Sequence, residues 1–212
     1  MNTSENDARR SLQEIEDVAD RTRRMAAFAG TDVILVIWGM IWMLGYLGNE
    51  IIPRLALSLN PKLGPAIQWL IPGWWSLLII AGIAATMLVS RRNTPVESSI
   101  GKRIGWLWLA LFGYVYLLGF LLMPFVKLQG FEEEMRFFKH MGALAAIVPM
   151  LGYVVIGLWL DSFLVWVGLG VTALTVLGLY LLTPWFWTYM AFVGGGALIG
   201  TGLVIRRKWR AL

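Results

Sequence analysis

Residues Ser162–Leu182 have the sequence SFLVWVGLGVTALTVLGLYLL, which contains no charged side chain. An α-helix rises about 1.5 Å per residue, so about 20 apolar residues cross the hydrocarbon core of a bilayer, which is about 30 Å thick. The stretch has the length for one crossing. It also lacks the alternation of polar and apolar residues that is typical of a membrane β-strand. It therefore predicts a transmembrane α-helix.

Similar apolar stretches recur along the whole chain. Hydrophobic residues make up 58% of the 212 residues and charged residues 15%, whereas soluble domains are about 45–50% apolar and about 25% charged. Six segments between the charged residues approach the length of a span: Asp32–Gly48, Trp69–Val89, Ile104–Val126, Met141–Leu160, Ser162–Leu182 and Trp185–Ile205. We predict an all-α fold, a polytopic transmembrane helical bundle whose six spans form three antiparallel hairpins.

The distribution of basic residues predicts the orientation. If both termini are cytoplasmic, the cytoplasmic segments hold most of the 18 Lys and Arg residues, including the clusters at Arg91–Arg92 and Arg206–Arg207. Cytoplasmic loops of membrane proteins carry such an excess of basic residues. We therefore divide the chain into a cytoplasmic amphipathic helix in residues 1–30, a six-helix transmembrane domain in residues 31–205 and a basic cytoplasmic tail in residues 206–212.

The N-terminal segment has the periodicity of a helix. Ser11 and Glu14 have the spacing of a capping box, and apolar residues recur on one face at Leu12, Ile15 and Ala19. This narrow apolar stripe predicts a helix that either contacts a cytoplasmic partner or lies on the protein's own cytoplasmic face. The basic clusters flank the spans, which favours contact with anionic lipid headgroups over direct binding of nucleic acid.

The predicted membrane interior holds few groups that could carry out catalysis. The chain has no Cys and one His, His140, so the usual pair of nucleophile and base is missing. Asp32 and Asp161 stand at predicted helix starts, where capping of the helix explains them, and a role in a functional site is the alternative for Asp32. His140 with the carboxylates of Glu132–Glu134 is a poor set of metal ligands. We therefore expect no enzymatic activity, no cofactor and no bound metal.

Two classes of function remain after these exclusions. The first is a non-enzymatic membrane component that binds a lipid, a small apolar ligand or a partner subunit, which includes a second copy of the chain. Small residues let transmembrane helices approach closely, and the candidate packing or partner face consists of Gly196, Gly200 and Gly202. The second class is a channel or uncoupled transporter for a small solute. The candidate polar path for it consists of Thr172, Thr175 and Tyr153.

The first predicted span carries a resemblance to known proteins. Residues Val33–Asn49, VILVIWGMIWMLGYLGN, follow a helix rich in Arg and Glu. This combination resembles small uncharacterised multi-pass proteins of the bacterial inner membrane, some of which are encoded beside winged-helix regulators. The resemblance covers residues 1–49 clearly and the rest of the chain only in style. It implies a bacterial inner membrane and a regulatory setting, and it supplies no catalytic residues.

Overall fold

The computed structural model describes residues 9–15, 30–60, 64–93, 99–122, 131–159 and 162–210, apart from some side chains near helix ends. Its long helices are, in chain order, α1 (Thr31–Leu59), α2 (Gly64–Asn93), α3 (Ser99–Leu122), α4 (Phe131–Trp159) and α5 (Ser162–Leu181). A sixth span follows, and all six are long and apolar enough to cross a membrane. The prediction of an all-α, six-span bundle is confirmed, and the protein is a multi-pass membrane protein.

The sixth span is one continuous helical rod built from four pieces. They are a 3₁₀ turn at Thr183–Trp185, helix α6 at Phe186–Tyr189, a π-helical turn at Met190–Gly194 and helix α7 at Gly195–Arg210. Pro184 lies in the first turn, where its missing N–H leaves no helical hydrogen bond unmade. The π turn widens the helix in the middle of the span.

Two helices extend well beyond the segments predicted from the sequence. Helix α1 ends at Leu59 rather than Gly48, and α4 begins at Phe131 rather than Met141. The sequence-based bounds stop where charged residues begin. In α1, however, Glu50 and Arg54 form an ion pair one turn apart along the helix, so the charges are accommodated as the helix leaves the hydrocarbon.

The start of α1 differs from the capping arrangement predicted for it. The N-cap residue is Gly30, whose φ of 81° lies in the left-handed region that favours glycine, and no side chain caps the helix. Asp32 lies within the first turn instead, where its negative charge interacts favourably with the positive end of the helix dipole. Asp161 lies outside the described residues.

The most extensive interfaces among the described helices join α4 to α5 and α1 to α7. Helix α2 packs on α1, and α3 packs on α4, as expected for the first two hairpins. Helix α5 packs more on α4 than on the sixth span, because glycine allows close approach there. A Cβ atom at Gly168 of α5 would lie 2.7 Å from the Met150 carbonyl oxygen of α4.

The first and last spans are in close contact at two levels. A Cβ atom on Gly195 would lie 2.7 Å from the Gly39 carbonyl oxygen, and one on Gly39 would lie 2.7 Å from the Gly195 carbonyl oxygen. Further along, a Cβ atom on Gly202 would lie 2.6 Å from the Asp32 carbonyl oxygen. Glycine at these positions lets the two backbones touch, which is the usual way for transmembrane helices to gain packing energy.

Candidate functional site

Aromatic side chains fill the centre of the bundle near the start of α4. Tyr46 of α1 is 1% exposed, and its hydroxyl donates a hydrogen bond to the Gly142 carbonyl oxygen at 2.9 Å. Its ring meets Trp42 and Trp75 edge to face, with centroids 5.9 and 5.2 Å away, and stacks on Trp187 at 6.0 Å. These geometries are favourable for aromatic pairs, and they close the interior with bulky rings.

Polar groups in the same region are mostly matched within the protein. The indole Nε1 of Trp75 donates to Asn49 Oδ1 at 2.9 Å, so the buried Asn49 side chain has a partner. Trp74 Nε1 donates to the Leu44 carbonyl oxygen at 3.1 Å. The buried Nε1 of Trp187 has no acceptor among the described residues. Satisfied donors limit the cost of placing polar atoms in an apolar medium.

The three residues of the predicted polar path have different surroundings. Thr175 is 1% exposed, and its hydroxyl donates to the Val171 carbonyl oxygen of its own helix at 2.8 Å. Tyr153 is buried, and its ring meets Trp108 of α3 edge to face at 5.1 Å. Thr172 is half-buried. The hydroxyl of Thr175 is therefore bonded to its own helix backbone.

The three glycines of the predicted partner face divide into two groups. Gly202 is buried against α1, as described above, and belongs to the packing inside the bundle. Gly196 and Gly200 lie on another side of the helix, where an added Cβ would meet no described atom within 4 Å. The structure thus places one glycine in helix packing and leaves two with open space beside them.

The predicted contact helix is described in residues 9–15, which are helical. Leu12 and Ile15 are 61% and 64% exposed. Arg10 and Glu14 form an ion pair at 3.5 Å on the same segment. Ala19, the third residue of the predicted stripe, lies outside the described residues. The two apolar side chains that are described are thus open to a partner.

A cavity of about 280 Å³ lies where α4 begins and the chain leaves α5. We call it the basic cavity, and its lining residues are Arg136, Lys139, His140, Leu179, Tyr180 and Thr183. None of these six residues is acidic. The sixth span begins at Thr183, beside the cavity, and crosses the bundle before it reaches Arg206 and Arg207. The cavity and these two arginines therefore lie at opposite ends of the bundle.

Hydrogen bonds tie the walls of the basic cavity together. Lys139 Nζ donates to the Thr183 carbonyl oxygen at 2.7 Å, which joins α4 to the segment that follows α5. His140 Nδ1 lies 2.8 Å from the Arg136 carbonyl oxygen and donates to it. The imidazole therefore keeps Nε2 for another partner. The Thr183 hydroxyl donates to the Leu179 carbonyl oxygen at 2.7 Å.

No family model, curated protein or solved structure matches this chain. Function is therefore inferred from the residues. The basic cavity was not predicted from the sequence. The spacing of Arg136 and Lys139, which share one face of a helix, indicates one wall of the cavity. The opposite wall includes Thr183, and no sequence pattern relates Thr183 to these two residues.

The sequence also raised a cation site at His140. The side chains of Glu132 and Glu134 lie outside the described ones. Among the side chains that are described, no three from His, Asp and Glu are grouped closely enough to hold a metal ion. Arg136 and Lys139 line the same cavity as His140, and their positive charges oppose the binding of a cation there.

Proposed function

We propose that the protein is a non-enzymatic component of a bacterial inner membrane that acts by binding a lipid, a small apolar ligand or a partner subunit. Both termini are cytoplasmic in this proposal, and the N-terminal helix contacts a cytoplasmic partner through Leu12 and Ile15. The observation that carries the proposal is the filled interior of the bundle. A channel or uncoupled transporter needs a polar path at the midplane instead.

The packing of the interior supports binding over transport. The side chains of Phe186, Met190 and Leu198 from the sixth span are almost completely buried, as are Met150 of α4 and Tyr46 of α1. These bulky groups occupy the region where a transport path would run. Thr175, the most buried residue of the predicted path, has its hydroxyl bonded to its own helix, so it offers little to a passing solute.

A binding component and a channel or transporter differ in whether water reaches Thr175 and Tyr153. The chain has no Cys, so single variants Thr175→Cys and Tyr153→Cys introduce the sole thiol. Each variant is treated with a membrane-impermeant maleimide in permeabilised membranes, beside the exposed control Leu12→Cys. We expect the thiols at positions 175 and 153 to remain unlabelled when the control has reacted completely. Rapid labelling of Thr175→Cys in the folded protein would contradict the proposal and favour a channel or transporter.

The proposed contact helix is tested by charge placed on its apolar face. The double variant Leu12→Glu/Ile15→Glu is expected to reduce the recovery of a cytoplasmic partner by at least about tenfold, since each side chain contributes about 1.5 kcal/mol or more when buried. The measurement is quantitative mass spectrometry after affinity purification from crosslinked cells. The control Gln13→Glu adds charge on another face and should leave recovery unchanged. Equal recovery from the double variant and the wild type would remove the contact helix from the proposal.

A further inference from the structure

We propose that the basic cavity binds the phosphate group of an anionic phospholipid. This inference rests on the proposed binding function and names its site and its ligand class. The cavity is formed by Arg136, Lys139 and His140 on one side and Tyr180 and Thr183 on the other.

The donors in the cavity suit phosphate oxygens. Arg136 carries five N–H donors, and Lys139 keeps two of its three after bonding to Thr183. That bond also holds the ammonium group at the cavity wall, so little side-chain freedom is lost when a ligand binds. His140 adds Nε2, which donates when the ring is protonated. Among the lining residues that the structure describes, none is acidic.

The depth of the cavity fits a lipid headgroup. Helix α5 has 20 residues, which is the length that crosses the hydrocarbon core at about 1.5 Å per residue. Tyr180 and Thr183 stand at the end of this crossing, so the cavity lies at the level of the headgroups. Tyrosine is enriched at this level because its ring is apolar and its hydroxyl polar. A phosphate held there belongs to a lipid already in the membrane.

An apolar surface continues from the cavity towards the membrane centre. Tyr180 is 71% exposed, and Leu177 and Val176, which precede it by three and four residues on the same helix face, are exposed as well. An acyl chain that hangs from a bound phosphate would lie along these side chains. A free phosphate ion would make no use of them, and this favours a lipid as the source of the phosphate.

The test compares three probes on the full-length protein in a non-ionic detergent. The probes are dioctanoyl-phosphatidylglycerol, dioctanoyl-phosphatidylcholine and inorganic phosphate, and the readout is the thermal midpoint of unfolding, which rises when a ligand binds the folded state. We expect phosphatidylglycerol to raise the midpoint at concentrations at which phosphatidylcholine and inorganic phosphate do not. Equal shifts with the two lipids would overturn the proposal. A shift with inorganic phosphate as large as the shift with phosphatidylglycerol would overturn it as well.

Variants locate the binding. The double variant Arg136→Gln/Lys139→Gln should need about 30-fold more phosphatidylglycerol for the same shift, given the usual attraction of each basic side chain to anionic lipid. The matched control Arg206→Gln/Arg207→Gln removes the same charge at the other end of the bundle and should respond like the wild type. An unchanged response of the first variant would overturn the proposal. If that variant does not fold, the single variant Arg136→Gln makes the same comparison with a smaller expected change, and its unchanged response would also overturn the proposal.

The outcome is separable from the test of the proposed function. Loss of the lipid preference would remove this site while the thiols at Thr175 and Tyr153 stay protected, which leaves a binding component with another ligand. Rapid labelling of those thiols would remove the binding component whatever the lipid preference.

Discussion

The variant Gly195→Leu is expected to lose at least about 3 kcal/mol of unfolding free energy, at the upper end of the usual cost of overpacking. The first added carbon there would meet three atoms of α1, and two of them are backbone atoms: Met43 Cγ lies at 2.5 Å, the Gly39 carbonyl oxygen at 2.7 Å and the Met43 nitrogen at 3.1 Å. Backbone atoms in a helix cannot turn away as a flexible side chain does. The two helices must separate, and the interface between the first and last spans is lost.

A control for this variant stands next to it in the chain. Gly196→Leu makes the same change of residue in the same helix, but its first added carbon meets no described atom within 4 Å. We expect this variant to unfold at nearly the wild-type free energy. The measurement is reversible unfolding in mixed micelles with increasing dodecyl sulfate, followed by tryptophan fluorescence. Equal losses in the two variants would mean that α1 and α7 are not packed as described.

The variant Tyr46→Ala is expected to cost about 3–5 kcal/mol, the range found for removal of a large buried aromatic side chain. Tyr46 touches rings from α1, α2 and the sixth span, and its hydroxyl bonds to α4. Its removal leaves a cavity where four spans meet. The same dodecyl sulfate titration measures the loss.

Two further variants separate the contributions of Tyr46. Tyr46→Phe keeps the ring and removes the hydrogen bond to Gly142, so it should cost about 1 kcal/mol. Tyr114→Ala removes an equal side chain that is exposed on α3, and it should leave the free energy of unfolding nearly unchanged. Similar losses from Tyr46→Ala and Tyr114→Ala would show that the aromatic cluster contributes no particular stability.

The spans could be predicted from the sequence because a bilayer sets their length and excludes charge from them. The ends of α1 and α4 could not, since charges such as Glu50 and Arg54 are tolerated once a helix enters the headgroup region. Which glycine faces a neighbour could not be predicted either. Gly195 and Gly196 are neighbouring glycines in the sequence. The rotation of the helix about its axis places Gly195 against α1 and leaves Gly196 with open space beside it.

The candidate site was predictable to a smaller extent. The exposed stripe at Leu12 and Ile15 follows from helical spacing alone. The basic cavity depends on the bond from Lys139 to Thr183, residues separated by a whole hairpin, and no local pattern indicates that they meet. Thr175 was predicted from its polarity, but its hydroxyl satisfies itself within one turn, which hydropathy does not reveal.

The close contact between α1 and α7 has a consequence for biosynthesis. Membrane spans enter the bilayer in chain order, so α1 is inserted first and waits for its partner until the sixth span leaves the ribosome. Until then, Gly39 faces lipid or a chaperone rather than Gly195. A nascent chain that stops before α7 therefore leaves its first span without this interface, and a membrane protease has a structural basis for distinguishing it from the finished protein.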